Sequence, residues 1–297
     1  MTVELTPLGV QCNLACTYCY QHPMRDAGNI GNKGYDLDKM FAALEAERSD
    51  FLVFGGEPLL VPIEDLERIF AWGYARFKKN GIQTNGVLIT PEHIALFQKY
   101  NVHVGFSLDG PGELNDSRWH GTLEKTREST AKSHAALKAC VAAGIGTSLI
   151  ITLYRGNATP GRLPQLKTWI RQLDAMGVRG VRLHLLEVDH ALVKAKMQLT
   201  EEETIAVLLE MVAFESTLPS LRFDILTDMR KLLRADDDSV TCIWNPCDPY
   251  TTSAVRGVDG QGNRSNCGRT NKDGIARVKA ERPGFERQLA LFHTPQE

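Results

Sequence analysis

The sequence predicts an α/β fold in which strands and helices alternate to build a parallel sheet. Short apolar runs of strand length recur along the chain as far as Leu186, and segments with apolar residues at a helical spacing separate them. Six strand–helix units follow from this alternation. Such units pair their strands in parallel through right-handed crossovers, and six are fewer than the eight units of a closed barrel.

Each predicted strand is a short run rich in apolar residues. The six runs are Val3–Val10, Phe51–Phe54, Gly81–Thr84, Val102–Ser107, Thr147–Leu153 and Val181–Leu186. The helices between them are predicted at Asp36–Arg48, Pro62–Lys79, from Thr90 onward, Thr122–Ala143 and Leu163–Met176. Leu37, Met40 and Leu44 give the first helix its apolar period, and Gly144 suits the end of the fourth.

After Leu186 the alternation is expected to stop. Two helical segments and a β-hairpin are predicted there, at Thr200–Ser216 and Asp224–Arg234, and at Thr252–Val258 and Arg264–Cys267 around the turn Asp259-Gly260-Gln261-Gly262. The chain is therefore expected to divide into a strand–helix domain over residues 1–190, a helical connection over 191–240 and a small cysteine-bearing extension over 241–297.

Composition restricts the class of function. The chain is 43% hydrophobic and 24% charged, which is typical of a globular protein. Its formal net charge of −2 argues against a nucleic-acid-binding surface. No apolar run approaches the roughly 20 residues that span a bilayer, and the N-terminus lacks the pattern of a signal peptide. We therefore expect a cytoplasmic protein with no nucleic-acid partner and no membrane partner.

Seven cysteines in such a chain indicate metal or redox chemistry rather than disulfides. Cys12, Cys16 and Cys19 are the most informative, because only three and then two residues separate them. Three thiolates this close select soft metals and iron–sulfur clusters. A zinc site normally presents four ligands, and the nearest further candidate here is His22. Three cysteines on a four-iron cluster would leave one iron open to a substrate or cofactor.

Three polar motifs follow predicted strands, at the end where ligands gather in open parallel sheets. They are Gly55-Gly56-Glu57-Pro58 after the second strand, Thr84-Asn85-Gly86 at the third and Ser107-Leu108-Asp109-Gly110-Pro111 at the fourth. In the first motif, glycines let the main chain approach a ligand closely, and a carboxylate complements an ammonium group. An ordinary strand-to-helix turn is the alternative for that motif.

With these motifs in this order, the chain resembles radical S-adenosylmethionine (radical SAM) enzymes. The resemblance rests on the C-x3-C-x2-C spacing with Tyr18 before the third cysteine, on the Gly-Gly-Glu-Pro motif, and on two patterns of the peptide-modifying branch, Thr-Asn-Gly and Ser-Leu-Asp-Gly. It implies a partial (β/α)6 TIM-like barrel, open on one side, with a [4Fe–4S] cluster on three cysteines. The open iron would chelate S-adenosylmethionine (SAM), whose reductive cleavage gives a 5′-deoxyadenosyl radical.

The resemblance also implies a set of SAM-binding residues. Glu57, with Gly55 and Gly56, would meet the amino group, and Tyr18 would pack against the adenine unless it is a core aromatic. Further contacts to SAM are implied at Ser107, Asp109, Thr84, Asn85 and Arg118. A plain turn is the alternative for Asp109, and a solvated surface position is the alternative for Arg118.

Cys242, Cys247 and Cys267 form a second group at the predicted hairpin. A glycine-rich hairpin with a cysteine at each end resembles the start of the SPASM and twitch extensions, which hold auxiliary four-iron clusters. A complete SPASM domain carries further cysteines, so the extension is expected to be incomplete. Asp248 or Asp259 is then a candidate fourth ligand of an auxiliary [4Fe–4S] cluster. Three cysteines without a metal are the alternative.

The predicted function is radical SAM modification of a residue in a ribosomal precursor peptide, by epimerisation, crosslinking or oxidation. An electron donor such as flavodoxin or ferredoxin is expected. Recognition of a leader peptide, if one is needed, would require a separate protein or another surface of this chain. Cys140 is a candidate hydrogen donor, with a buried inert thiol as the alternative. Two other functions stay open: an anaerobic sulfatase-maturase-like enzyme that forms formylglycine, and a non-catalytic iron–sulfur or zinc binding module.

Overall fold

The computed structural model describes residues 2–21, 34–186, 191–240 and 255–266. The strands are β1 (Thr2–Thr6), β2 (Phe51–Val53), β3 (Asn80–Thr84), β4 (Val102–Ser107), β5 (Thr147–Leu153), β6 (Gly180–Leu185), β7 (Arg222–Phe223), β8 (Val255–Asp259) and β9 (Arg264–Asn266). The helices are α1 (Leu37–Glu47), α2 (Ile63–Phe77), α3 (Pro91–Lys99), α4 (Leu123–Ala142), α5 (Arg155–Ala158), α6 (Leu163–Met176), α7 (Ala191–Met197), α8 (Glu201–Glu215) and α9 (Asp224–Leu232). The predicted alternation of strands and helices is confirmed.

Side-chain caps explain why several helices begin where the sequence predicts. The Asp36 carboxylate accepts from the backbone N–H of Lys39 at the start of α1. Thr90, Thr122 and Thr200 cap α3, α4 and α8 in the same way. Each cap satisfies a backbone donor that the first helical turn leaves unpaired. Local sequence is therefore enough to determine these starts.

The chain folds as two units. The described residues of the first belong to Met1–Asn13, Gln21–Gln83 and Asp237–Glu297, and those of the second belong to Leu14–Tyr20 and Thr84–Asp236. The cysteine segment therefore begins in the first unit, which contains Cys12, and continues in the second, which contains Cys16 and Cys19.

The first unit is built on strands in the order β3-β2-β1-β8-β9. β1 pairs in parallel with β2 on one side, through Val3↔Phe51, and with β8 on the other, through Leu5↔Val258. β9 returns antiparallel to β8. The predicted hairpin is thus confirmed, and it extends the sheet beside β1. Strand side chains form much of the core of this unit, among them Val3, Leu5, Phe51, Val53, Ile82 and Val258.

An ion-pair cluster fastens the hairpin to α1. The Glu47 side chain is only 2% exposed, and it accepts from Arg256 on β8 at 2.6 Å and from Arg264 on β9. Burial disfavours the charged carboxylate, but the hydrogen bonds from the two arginines outweigh it, so the pKa of Glu47 is lowered from its ordinary value. Asp36 N–H adds a backbone bond to Gly260 O at 2.7 Å. Ion pairs attach the hairpin to α1, and strand pairing attaches it to β1.

The second unit is built on parallel strands in the order β7-β6-β5-β4. β4 pairs with β5 through Phe106↔Leu149, and β5 pairs with β6 through Ile151↔Leu183. These four side chains are at most 1% exposed. In α6, the buried residues recur at the helical period that the sequence predicts. They include Leu163, Leu166, Trp169, Ile170 and Leu173.

Two strand predictions are wrong in detail. The first strand ends at Thr6 rather than Val10, because Gly9 adopts a left-handed conformation (φ +58°) and its N–H donates back to Thr6 O at 3.1 Å. The alternation does not stop after Leu186, since β7 pairs in parallel with β6 through Val181↔Phe223. A strand of two residues is too short to leave a periodic pattern. The short helices α5 and α7 likewise lack a sequence prediction.

The longest described helices are amphipathic or carry charges along their length. α4 has 20 residues, but it is not continuously apolar, since it carries charged side chains such as Glu124, Lys125 and Arg127. In the part of the chain that the structure describes, no helix combines the length and the hydropathy needed to cross a membrane.

Candidate active site

The residues just before Cys12 are held by the glycine motif that follows β2. Gly56 N–H donates to Gly9 O at 2.9 Å, and Glu57 N–H donates to Gln11 O at 2.7 Å. Both bonds lie within the first unit. The motif that was expected to bind SAM therefore also positions the segment that carries the first cysteine.

This packing requires glycine at both positions of the motif. A Cβ atom on Gly55 would lie 2.5 Å from Gly9 O, and one on Gly56 would lie 1.9 Å from Gln11 O. Gly55 also has a φ of +130°, which residues with a Cβ avoid. Both neighbours are main-chain atoms, which cannot rotate away. The close approach expected of these glycines is made to the cysteine segment, and an approach to SAM stays a prediction.

Glu57 ends this motif as a buried carboxylate with 1% exposure. Its Oε1 accepts from the backbone N–H of Leu59 at 3.0 Å, which caps a short 3-10 helix at Pro58–Leu60. The bond restrains the orientation of the carboxylate. A restrained carboxylate is suited to accept an ammonium group, and the contact with the amino group of SAM stays a prediction.

Cys16 and Cys19 lie in a tight turn of the second unit, where Cys19 N–H donates to Cys16 O at 3.0 Å. Their side chains, like that of Cys12, are partly exposed, and within the described residues none of them forms a disulfide. Three thiols of this kind are a donor set that fits an iron–sulfur cluster. Across the described residues, no three His, Cys, Asp or Glu side chains are gathered closely enough to hold a metal ion. Convergence of the three thiolates on one cluster therefore stays a prediction.

The cysteine turn is tethered by its backbone to the loop that follows β4. Ala15 N–H donates to Trp119 O, and Thr17 N–H donates to Ser117 O, each at 2.8 Å. These bonds join the residues on either side of Cys16 to one short segment. The position of Cys16 is therefore determined by contacts about 100 residues away in sequence.

A buried charged network lies against the same turn. The Tyr18 hydroxyl donates to Asp109 Oδ2. Arg118 Nη2 and Thr152 N–H both donate to Asp109 Oδ1, each at 2.9 Å. Asp109 is completely buried, and Arg118 is 8% exposed. Since both carboxylate oxygens accept hydrogen bonds, Asp109 connects the cysteine turn to the ends of β4 and β5.

Two asparagines hold the backbone around Asp109. Asn115 Oδ1 accepts from Asp109 N–H at 2.8 Å, and Asn157 Nδ2 donates to Asp109 O at 3.0 Å. Asn157 also donates to Thr152 O and accepts from Tyr154 N–H. All five residues are buried. These contacts give Asp109 a structural role, and a direct bond from it to SAM stays a prediction.

Arg118 is a buried cation rather than a solvated surface arginine. Its guanidinium carbon lies 5.8 Å from the centre of the Tyr18 ring, and that ring is 5.6 Å from the ring of Tyr154. Burial is the largest single influence and disfavours the positive charge, but Asp109, Tyr18 and Cys16 together outweigh it, so the pKa of Arg118 is raised from its ordinary value. The alternative interpretation of Arg118 is therefore wrong.

Sequence patterns do not single out Tyr154 and Asn157, although both belong to this network. They follow the end of β5, and the Tyr154 hydroxyl donates to Leu114 O at 2.9 Å. The rule that ligand sites gather at the carboxyl ends of parallel strands applies to this loop as well. If the rule is applied to every strand end, and not only to the strand ends that carry a motif, it includes Tyr154 and Asn157.

Other predicted SAM contacts also lie at strand ends. Thr84 Oγ1 accepts from Gly86 N–H, and Asn85 Oδ1 accepts from Val87 N–H, both at 3.0 Å. Side chains that bond the backbone two residues on are typical of turns. Ser107 is half-buried at the end of β4. Turn formation accounts for the two bonds at Thr84 and Asn85, and SAM binding by all three residues stays a prediction.

Cys140 lies on α4 and is 0% exposed. Burial raises the pKa of its thiol to about 11. A hydrogen donor must reach a substrate radical, so this position agrees with the alternative of an inert core thiol.

The proposed auxiliary-cluster residues Cys242, Cys247, Cys267 and Asp248 lie outside the described residues. The other candidate ligand, Asp259, is described. Its Oδ1 accepts from the backbone N–H groups of residues 261 and 263, at 2.9 and 2.8 Å. The Asp259 carboxylate therefore shapes the hairpin turn.

Comparison with known families agrees with these motifs. The Radical SAM superfamily matches residues 6–158, which is more than half of the 297 residues. The chain therefore belongs to the radical SAM superfamily and is an enzyme. The cofactors of this family are a [4Fe–4S] cluster and SAM.

Two curated relatives are sulfatase-maturating enzymes. The chain is 31% identical over 128 residues to the cysteine-type anaerobic sulfatase-maturating enzyme of Clostridium perfringens (strain 13 / Type A), a match that covers 39% of this chain and 35% of the relative. It is 34% identical over 128 residues to the serine-type anaerobic sulfatase-maturating enzyme of Bacteroides thetaiotaomicron, covering 38% and 30%. The matches thus span about a third of the length of these relatives.

Solved structures show the same fold over nearly the whole chain. Native anSMEcpe with bound AdoMet and Cp18Cys peptide aligns with a TM-score of 0.74 at 17% identity, covering 99% of this chain and 80% of that one. Streptococcus suis SuiB bound to precursor peptide SuiA aligns with a TM-score of 0.67 at 12% identity, covering 99% and 65%. The expected α/β fold, consistent with a partial radical SAM barrel, is confirmed.

Proposed function

We propose that the chain cleaves SAM reductively and modifies a residue of a ribosomal precursor peptide. One observation carries this proposal. The segment before Cys12 is bonded to the Gly55–Glu57 motif, and Tyr18, in the turn that carries Cys16 and Cys19, donates to Asp109 of the Ser107–Pro111 motif. Two of the motifs that the family resemblance assigns to SAM are therefore bonded to the segments that carry the predicted cluster ligands.

When bound, the cluster and SAM would supply a 5′-deoxyadenosyl radical that takes a hydrogen atom from the substrate. The residues of the chain would bind and orient these groups. Cys12, Cys16 and Cys19 would hold three irons as thiolates. Glu57, which is already restrained by its bond to Leu59 N–H, would accept the ammonium group of SAM.

A peptide substrate is supported by the solved structures with this fold. Native anSMEcpe was solved with a Cp18Cys peptide, and SuiB was solved with the precursor peptide SuiA. Epimerisation, crosslinking and side-chain oxidation all begin with hydrogen abstraction from the peptide, so they share the site described above. Leader recognition by a separate protein and electron supply by flavodoxin or ferredoxin belong to this proposal, as does a cytoplasmic location.

The second candidate function is formylglycine formation on a cysteine or serine of a sulfatase-like partner. The curated relatives favour this function, because the chain is 31% and 34% identical to two sulfatase-maturating enzymes over the matched residues. This oxidation removes two electrons and two protons from a serine: the abstracted hydrogen atom carries one of each, a further acceptor takes the second electron, and the second proton goes to a base or to solvent. Cys242, Cys247 and Cys267 are the residues that we propose for an auxiliary cluster in that role.

The decisive test is an assay for 5′-deoxyadenosine. Protein reconstituted anaerobically with iron and sulfide is mixed with dithionite and SAM, and the product is measured by liquid chromatography. A variant with Cys12, Cys16 and Cys19 replaced by alanine is the inactive reference, and Cys140→Ala is the matched cysteine control. If the wild-type chain formed no more product than the triple variant, the proposal would fail and a non-catalytic binding module would account for the cysteines.

Substrate peptides then separate the two candidate functions. A sulfatase-type serine peptide would lose two hydrogen atoms on conversion to the aldehyde, which mass spectrometry detects. Short peptides encoded beside the gene are tested in D2O, where epimerisation exchanges one hydrogen for deuterium and a crosslink removes two hydrogens. Oxidation of the sulfatase peptide alone would replace the first candidate by the second.

A further inference from the structure

Arg118 lies opposite Cys16 in the second unit. The two 2.8 Å backbone bonds that tether the cysteine turn join the neighbours of Cys16 to the neighbours of Arg118. Residue 15 bonds residue 119 and residue 17 bonds residue 117, so the two segments run in opposite directions. The backbone of Arg118 therefore lies beside that of Cys16, a predicted cluster ligand.

Not every N–H group of the Arg118 guanidinium is hydrogen-bonded within the described residues. Its Nη2 donates to Asp109, whose other donors are the Tyr18 hydroxyl and the Thr152 N–H. Its Nε is buried and has no hydrogen-bond acceptor among the described residues. Buried donors are nearly always paired. This N–H is therefore a donor available to an anionic group in the loaded site.

The charge of Arg118 is permanent, because an arginine guanidinium is not deprotonated in proteins. Its ion pair with the buried Asp109, at 2.9 Å, fixes the place of that charge in the second unit.

We propose that Arg118 raises the reduction potential of the SAM-binding [4Fe–4S] cluster by holding a positive charge beside the Cys16 ligand. Reduction adds one electron and one negative charge to a cluster, so a nearby cation stabilises the reduced form. Cluster potentials depend on local charge and on hydrogen bonds to the sulfurs. Asp109 opposes the effect, because its negative charge partly cancels that of Arg118. This inference rests on the proposed function, since it requires the cluster.

The test is a redox titration of the reconstituted full chain, monitored by electron paramagnetic resonance without SAM. Arg118→Gln removes the cation, and its midpoint potential is expected to fall. Asp109→Asn removes the opposing charge, and its midpoint potential is expected to rise. Arg118→Lys keeps the charge and should stay near the wild-type value. Arg182→Gln is the matched control, because Arg182 pairs with Asp224 at 2.6 Å but is exposed.

The opposite signs separate charge from damage to the fold. Shifts of the same sign in Arg118→Gln and Asp109→Asn, or a shift in Arg118→Gln no larger than in the control, would overturn the proposal. If Arg118→Gln binds no iron, the rise in Asp109→Asn decides the matter. Loss of the cluster from both variants would assign the pair a structural role only and also overturn the proposal. A wild-type chain that carries a cluster but forms no 5′-deoxyadenosine would refute the proposed function and leave this measurement valid.

Discussion

Replacing Gly56 with alanine tests whether the glycine motif holds the first cysteine in place. The new Cβ atom would lie 1.9 Å from Gln11 O, whereas real Cβ atoms stay beyond 3.0 Å. The two backbones would have to separate by about 1 Å, which would stretch the 2.7 Å bond from Glu57 N–H to Gln11 O. Overpacking costs about 1–3 kcal/mol and a lost hydrogen bond about 1 kcal/mol. We therefore expect the free energy of unfolding to fall by about 2–4 kcal/mol.

The assay combines urea unfolding with iron content after reconstitution. Because the displaced segment leads directly to Cys12, Gly56→Ala should also bind less iron than the wild-type chain. Gly161→Ala is the control, since its Cβ would meet nothing within 4 Å and surface substitutions of this kind change stability by about 0.5 kcal/mol or less. Equal stability and equal iron content in the two variants would refute the reasoning.

Three further predictions concern single side chains. Glu47→Gln should lower the free energy of unfolding at pH 7 by about 1–2 kcal/mol. Because the pKa of Glu47 is lowered in the folded state, the greater stability of the wild type should be complete above the ordinary pKa of 4.5 and should vanish as the pH falls through the folded pKa. Urea unfolding of both proteins across this pH range measures the difference. Cys140→Ala should leave iron content unchanged and cost about 1 kcal/mol, and rapid labelling of native Cys140 by iodoacetamide at pH 8 would contradict its burial. Cys16→Ala should abolish the brown cluster absorbance, and a full iron complement in that variant would remove Cys16 from the ligand set.

Much of the fold could be predicted from sequence because its signals are local. Thr90 and Thr122 sit at the first turns of α3 and α4, where their side chains cap backbone donors a few residues away. In α6, apolar residues recur at the helical spacing, and this spacing predicts which face of the helix is buried. β7 escaped prediction because Arg222–Phe223 is held by its partner strand rather than by its own composition.

At the candidate site, too, some features follow from local sequence and others arise only on folding. Sequence spacing was enough to nominate Cys12, Cys16 and Cys19, since ligands on one short segment are already close along the chain. It left Asp109 balanced between a turn residue and a SAM contact, and it wrongly allowed Arg118 to be surface. Only folding brings these two residues together with the cysteine turn, through bonds that span as many as 91 residues.

By itself, the sequence determined the family, the strand–helix order and the cluster-ligand candidates, because each depends on residues that are neighbours along the chain. The tertiary structure decided that the backbone of Arg118 lies beside that of Cys16, that both carboxylate oxygens of Asp109 accept hydrogen bonds and that the hairpin joins the sheet beside β1. Those arrangements depend on which distant segments pair, and pairing is settled by packing and by the burial of charge, which no local pattern encodes.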